Sequence, residues 1–333
     1  MYGFTLHRVA ETTVLLRDFL MKDCNISRKM LTQIKQGGLI LVNDEPRTVR
    51  YNIQPGERVT VHFPVEQPSE TMVHSKRPLK ILYEDDYLLA VDKPAGIATI
   101  PSRLHPNDTL ANAVFGYYEQ IGLRSAIHVI NRLDRDTSGV VLFAKYAYVH
   151  HRFSELQQNG GLTRTYLALV EGPLEPQTIN APIGRAPDSI MERIVTADGQ
   201  HAVTHILEAK PHGAYTALKI ALETGRTHQI RVHLRHLGHP LLGDTMYGGK
   251  TALDRHALHS ALATFCHPMT GEKLVIEATP PHDFQLEDNK NSLALKGVRD
   301  YFQSSSNIYV FDLDATFMTS PMAIMFMMIP VPP

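Results

Sequence analysis

Apolar positions along this chain change period several times, and the changes divide it. Leu15, Leu16, Phe19 and Leu20 recur at helical spacing, and Ser27 is placed to cap a second helix. In that helix Met30, Leu31 and Ile34 turn inward, while Arg28, Lys29 and Lys35 do not; Gly37-Gly38 closes it. Strands are predicted in LILVN and RVTVHFP, joined through the turn formers of NDEP and QPGE. Residues 65–78 lose all periodicity and read as a linker after a small domain spanning 1–64.

From Leu79 the pattern mixes strand and helix. KILYEDDYLLAVDKPAG predicts two strands around a turn, and Asp108 is expected to cap a helix with Leu110, Ala113, Val114, Tyr117 and Ile121 on one face. Strands are expected in AIHVI, SGVVLFAK, TYLALVEG, AYTALKIALE and KLVIEAT, with THQIRVHLRHL as a helix among them. Strands outnumber helices and short turns separate several of them. The fold class expected is therefore α+β, a mainly antiparallel mixed sheet with flanking helices over 79–302, with the tail 303–333 poorly ordered.

Composition narrows the class further. The 333 residues are 43% hydrophobic, with 33 Lys/Arg against 34 Asp/Glu, a formal net charge of −1. Length and apolar content exclude a wholly disordered chain, and the near-neutral balance confines any nucleic-acid role to local patches. Residues 1–64 provide one, with nine Lys/Arg against six acids. Two distant cysteines, Cys24 and Cys266, make no disulfide framework and leave no room for a cysteine-held metal. With no secretory pattern at the amino terminus and no apolar run of membrane length, a cytoplasmic protein without a membrane partner is expected.

Two polar stretches carry candidate chemistry. In NRLDRDTSG, Asp134 sits between Arg132 and Arg135 in a loop between apolar strands, a setting for an ionised nucleophile or base. An ordinary Asp/Thr/Ser/Gly turn has the same composition, and spacing does not separate the two. In ETGRTHQIRVHLRHLGHP, Thr227 can cap a helix ending at Gly238, with Ile230, Leu234 and Leu237 as its buried stripe. Arg231 and Arg235 then share another face with His228, and Arg226 stands at the helix entrance, so the segment suits phosphate binding or is a solvated basic face. Its four histidines match no metal-ligand spacing, which points to structural or RNA-facing roles and to no metal. Downstream, GDTMYGGKT has five residues after Gly243 before its Gly-Lys-Thr, where a phosphate loop needs four, and Asp244 stands in a glycine position; a nucleotide hydrolase is disfavoured.

Taken together, IHVINRLDRDTSGVVLFAK, RTYLALVEG and LETGRTHQIRVHLRHLGHPLLGDTMYGG, in that order over about 120 residues, resemble the motifs of RluA-type RNA pseudouridine synthases. SRKMLTQIKQGG followed by LVN separately resembles the αL RNA-binding domain of a small-subunit ribosomal protein. The resemblance implies isomerisation of uridine within RNA, with no cofactor and no metal. It implies Asp134 as catalytic carboxylate, Arg226 as its ion-pair partner, and Tyr166 as the ring packing on the uracil and helping to remove its carbon 5 proton. Arg132 is implied to hold the flipped-out strand and Ile230 to line the pocket. Arg231, Arg235, Arg28, Lys29 and Lys35 are the basic residues expected to meet RNA. Ribosomal RNA is the favoured substrate by analogy of domain plan, with transfer RNA the other candidate.

Two features depart from the family. Asn131 stands where the family usually has His, which is expected to alter support around the site while catalysis is retained. YVFDLDAT in the tail resembles the first motif of haloacid-dehalogenase-like phosphatases, but too little chain follows to build that domain. The competing functional class is a non-catalytic RNA-binding or assembly factor on the same fold, which the presence of Asp134, Tyr166 and Arg226 disfavours.

Overall fold

The computed structural model describes residues 2–68, 72–103, 105–250 and 253–284. The expectations for the tail at 303–333 and for the end of the catalytic region at 285–302 fall outside them.

The amino-terminal part runs β1 (Thr5–Val9), β2 (Val14–Leu15), α1 (Leu16–Lys22), α2 (Arg28–Gly37), β3 (Leu39–Val42), β4 (Glu45–Pro46), β5 (Asn52–Ile53) and β6 (Arg58–His62). Strands β1, β6, β3 and β4 form one antiparallel sheet in that order. Leu16, Phe19, Leu20, Leu31 and Ile34 of the helices fill its core with Leu6, Val59 and Val61. Ser27 caps α2 as expected, its side chain accepting from the Met30 N–H. Arg28, Lys29 and Lys35 are exposed.

The second part runs β7 (Ile81–Glu84), β8 (Leu88–Lys93), α3 (Leu110–Gln120), β9 (His128–Val129), β10 (Ser138–Ala144), α4 (Ala147–Gln158), β11 (Leu162–Glu171) and β12 (Gln177–Asn180). It continues through β13 (Ile183–Arg185), β14 (Arg193–Val195), β15 (Val203–His212), β16 (Tyr215–Leu222), α5 (Gln229–His236), β17 (Leu258–Cys266) and β18 (Lys273–Glu277). The large sheet has the order β12-β15-β16-β11-β17-β10-β8-β7, with β18 on β17 and β9 on β10. Its pairings are antiparallel except β10 with β17, as the mixed α+β reading requires.

Central strands β8 and β10 are buried on both faces, hence their unbroken apolar text. Leu89, Val91, Val141 and Phe143 pack on Leu110, Val114 and Tyr118 of α3 and on Ile230 and Leu234 of α5. Leu88, Ala90, Val140 and Leu142 pack on Val149 and Phe153 of α4. The crossing of β10 and β17 is tight. Gly139 has φ +112°, and a Cβ there would lie 2.1 Å from the Ser260 carbonyl oxygen, so only glycine fits.

The structure corrects three local expectations. Thr109, not Asp108, caps α3, in a reciprocal box with Asn112; Asp108 has φ +60° and pairs with Arg77 instead. The buried stripe of α3 runs through Tyr118, leaving Ile121 exposed. Helix α5 begins at Gln229, so Thr227 is not its cap; His228 takes that position at φ +57°.

The stretch 65–78 has no helix or strand among its described residues, yet it is pinned. Glu66 accepts from the Ala147 N–H at 2.7 Å and meets His128 at 2.5 Å, while the Ser75 N–H donates to the Asn112 carbonyl. The amino-terminal core also takes in Tyr148 of α4, whose hydroxyl donates to the Cys24 carbonyl at 2.7 Å.

Candidate active site

Asp134 stands in the turn leading into β10, and nearly every neighbour in that turn is held by a contact from elsewhere. The Asn131 amide donates to the Val140 carbonyl at 3.1 Å and accepts the Leu142 N–H at 2.8 Å, pairing with β10 as a strand would. Thr99 Oγ1 donates to the Leu133 carbonyl and accepts its N–H. Lys93, fully buried, places its ammonium between the carbonyls of Pro94, Ile97 and Arg135 at 3.0, 2.8 and 2.8 Å. Burial pulls the Lys93 ammonium down to about 7, against the opposing charges of Asp136 and Asp134. Arg255 donates to the Asp136 carbonyl, Thr137 bonds His256 at 2.7 Å, and Ser138 bonds His259 at 2.9 Å. Arg132 and Arg135 are the exposed side chains of the run 131–138; Arg135 pairs with Asp136 at 3.1 Å, and Arg132 makes no ion pair among the described residues.

The Asp134 carboxylate is one-quarter exposed, and its Oδ2 accepts from Nη1 of Arg231 at 3.1 Å. Arg231 is buried and paired twice more, its Nε and Nη2 donating to the two oxygens of Asp244 at 2.7 and 2.8 Å. Burial works against the guanidinium charge, but the hydrogen bonds and charges of Asp244 and Asp134 outweigh it and push the Arg231 pKa above its ordinary value. Tyr247 lies beneath, with the Arg231 guanidinium 4.9 Å and the Arg235 guanidinium 5.7 Å from its ring centre. His228 Nε2 approaches Asp134 Oδ2 to 3.8 Å.

This geometry corrects the ion-pair assignment. Arg226 does not reach Asp134; it is exposed, and its Nε donates to the His201 carbonyl at 2.9 Å. Arg231, expected on an RNA-facing surface, is the buried partner instead. The reason is the start of α5. The backbone turns through left-handed His228, the Gln229 side chain accepts the Arg226 N–H, and the helix then begins with Arg231 facing the Asp134 loop. Arg235 stays on the exposed side.

Tyr166 is buried in β11, in the same apolar cluster as Leu133 and Ile230, the chain neighbours of Asp134 and Arg231. Ile230 is 3% exposed, so the core function of its helical stripe is realised here. The sequence pattern places His228 only on the basic face of α5 with Arg231 and Arg235, and it does not single out Asp244 or Tyr247 as parts of the site. All three lie in the motif text, where Asp244 stands out only as the residue at a glycine position of GDTMYGGKT.

His233 is fully buried, bonded to Thr204 and to the Ala181 carbonyl, and is structural. Among the described residues no group of His, Cys, Asp and Glu could hold a metal ion. The backbone amides of Gly243, Asp244 and Gly249 all bond carbonyls within their own turn, so they present no cradle for phosphate.

The chain matches the family model described as RNA pseudouridylate synthase over residues 87–236. It is 46% identical over 265 residues to the uncharacterized RNA pseudouridine synthase YjbO of Bacillus subtilis, covering 78% of this chain and 94% of that one. It is 37% identical over 278 residues to the ribosomal large subunit pseudouridine synthase D of Xanthomonas campestris, covering 78% and 83%. In fold it resembles human RNA pseudouridylate synthase domain containing 4, with a TM-score of 0.51 at 21% identity over 65% of this chain and 92% of that one. The chain belongs to the RluA-type RNA pseudouridine synthases, and it is an isomerase acting on RNA.

Proposed function

We propose that this enzyme isomerises uridines of large-subunit ribosomal RNA, with Asp134 as its catalytic carboxylate and no cofactor. The observation that supports the role of Asp134 is its pairing with a doubly anchored Arg231, which offsets the cost of keeping a charge in a partly dry cleft. Tyr166 borders the uracil from β11. Arg132, Arg226 and Arg235, all exposed, meet the RNA backbone around the flipped nucleotide. Arg28, Lys29 and Lys35 add phosphate contacts from α2. The substrate class follows the name of the relatives, which are large-subunit enzymes at 36–37% identity.

The test is to map pseudouridines in ribosomal and transfer RNA from cells with the gene, without it, and with Asp134→Asn. A large-subunit site that vanishes in both of the latter is expected. Turnover by the Asn variant would remove Asp134 from its role, and a transfer RNA site would replace the substrate. RNA affinity of the variant should stay within about tenfold, since phosphate contacts dominate binding.

A further inference from the structure

The Tyr247 hydroxyl is buried, and it makes two contacts: it accepts the Arg193 N–H at 3.0 Å and lies 2.8 Å from His228 Nδ1. Its own hydrogen needs an acceptor, and among the described residues Nδ1 is the one in reach. Nδ1 therefore accepts, and the ring proton of neutral His228 sits on Nε2. Nε2 faces Asp134 Oδ2 at 3.8 Å, the same oxygen that Arg231 holds at 3.1 Å. Oδ1 of Asp134 accepts no hydrogen bond among the described residues. His228 reaches this place only by adopting a left-handed backbone at φ +57°, a costly conformation for a side chain with a Cβ.

We propose that His228, fixed as its Nε2–H tautomer by Tyr247, is a positioning residue that with Arg231 holds Oδ2 of Asp134 and leaves Oδ1 to face the nucleotide. The inference rests on the reading of Asp134 as the catalytic carboxylate. The 3.8 Å gap is longer than a hydrogen bond and closes as RNA fills the cleft, as catalytic contacts commonly tighten in the complex. Burial lowers the His228 pKa against the pull of Asp134, which favours the neutral ring the tautomer requires.

Side-chain shape makes the test sharp. Gln places an N–H near the position of Nε2, Asn reaches only as far as Nδ1, and Gly removes the ring while accepting φ +57° without strain. Full-length H228Q, H228N, H228G and Y247F are assayed by tritium release from 5-tritiated total RNA taken from cells lacking the gene, with melting temperatures measured alongside. H228N and H228G are expected to lose about 10- to 100-fold in kcat with KM within about threefold, and Y247F about 3- to 10-fold. H228Q should recover to within about fivefold of the parent, with H228Q and H228N melting alike and Y247F melting lower, because it strips the Arg193 N–H of its acceptor. H228Q as poor as H228G, H228N as good as H228Q, or kcat unchanged in H228G would each overturn the proposal. D134N separates the two levels: if it is active, the reading of Asp134 fails, and if it is dead while H228G is unimpaired, only the role of His228 fails.

Discussion

Arg231 meets Asp244 fork to fork, Nε on Oδ2 and Nη2 on Oδ1, and this pairing leaves Nη1 as the single donor directed at Asp134. A lysine has one ammonium and cannot serve both carboxylates in that plane. Arg231→Lys is therefore expected to cut kcat by at least about 100-fold and to destabilise the fold by about 3 kcal/mol, the scale of breaking a buried pair. Arg226→Ala should do neither and should only weaken RNA binding. Side-by-side single-turnover and melting measurements check this, and the reverse ranking would restore Arg226 as the partner.

Asn131 is buried and ties the Asp134 turn to β10 through both ends of its amide. Asn131→Leu keeps the branched four-atom side chain but leaves the Val140 carbonyl and the Leu142 N–H without partners. A loss of about 1–3 kcal/mol follows. At roughly 2–4 °C per kcal/mol for a chain of this size, calorimetry should record a melting temperature lower by several degrees.

How much of this was readable beforehand depended on range along the chain. The strands β8, β10, β11 and β16 show as apolar runs, and the three motifs place Asp134 and the start of α5 in the site. Which arginine of GRTHQIR turns inward was not readable, because the left-handed turn at His228 moves the cap from Thr227 to His228 and starts the helix at Gln229. Helix α4 was missed for a different reason. Its buried positions Tyr148, Val149 and Phe153 make a thin stripe in polar text, and its N-cap Tyr146 offers no capping side chain. The contact of Tyr148 with Cys24 joins residues 124 positions apart and leaves no local trace.

Glu66 ties the irregular stretch to the catalytic region. Burial would raise its pKa, but hydrogen bonds from His128 and the Ala147 N–H and the charge of His128 outweigh it and hold the carboxyl below its usual range. A lowered carboxyl pKa contributes stability above the ordinary carboxylate range, and that contribution disappears as pH falls through the lowered value. Melting temperature recorded from pH 7 to pH 3 should fall more steeply in the parent than in Glu66→Gln; parallel curves would remove the contribution.

Arg28, Lys29 and Lys35 are exposed on α2 and free of ion pairs among the described residues. Replacing all three by Ala should lower RNA affinity at 50 mM salt more than at 200 mM. Each lost phosphate contact flattens the log–log salt slope by roughly 0.7–0.9. The rate at saturating RNA should not change, and a changed rate would place α2 in the reaction itself.

The turn carrying Asp134 owes its shape to Asn131, Thr99, Lys93, Arg255, His256 and His259, and several of these act on main-chain atoms. The entropy of ordering it is thus spent when the chain folds, before any RNA arrives. The main chain of this turn behaves as a mould, and the larger adaptation falls on the nucleic acid. Among uridines of similar surroundings, those whose stacking and pairing yield most readily are then modified first, so selection is written partly in the mechanics of the RNA.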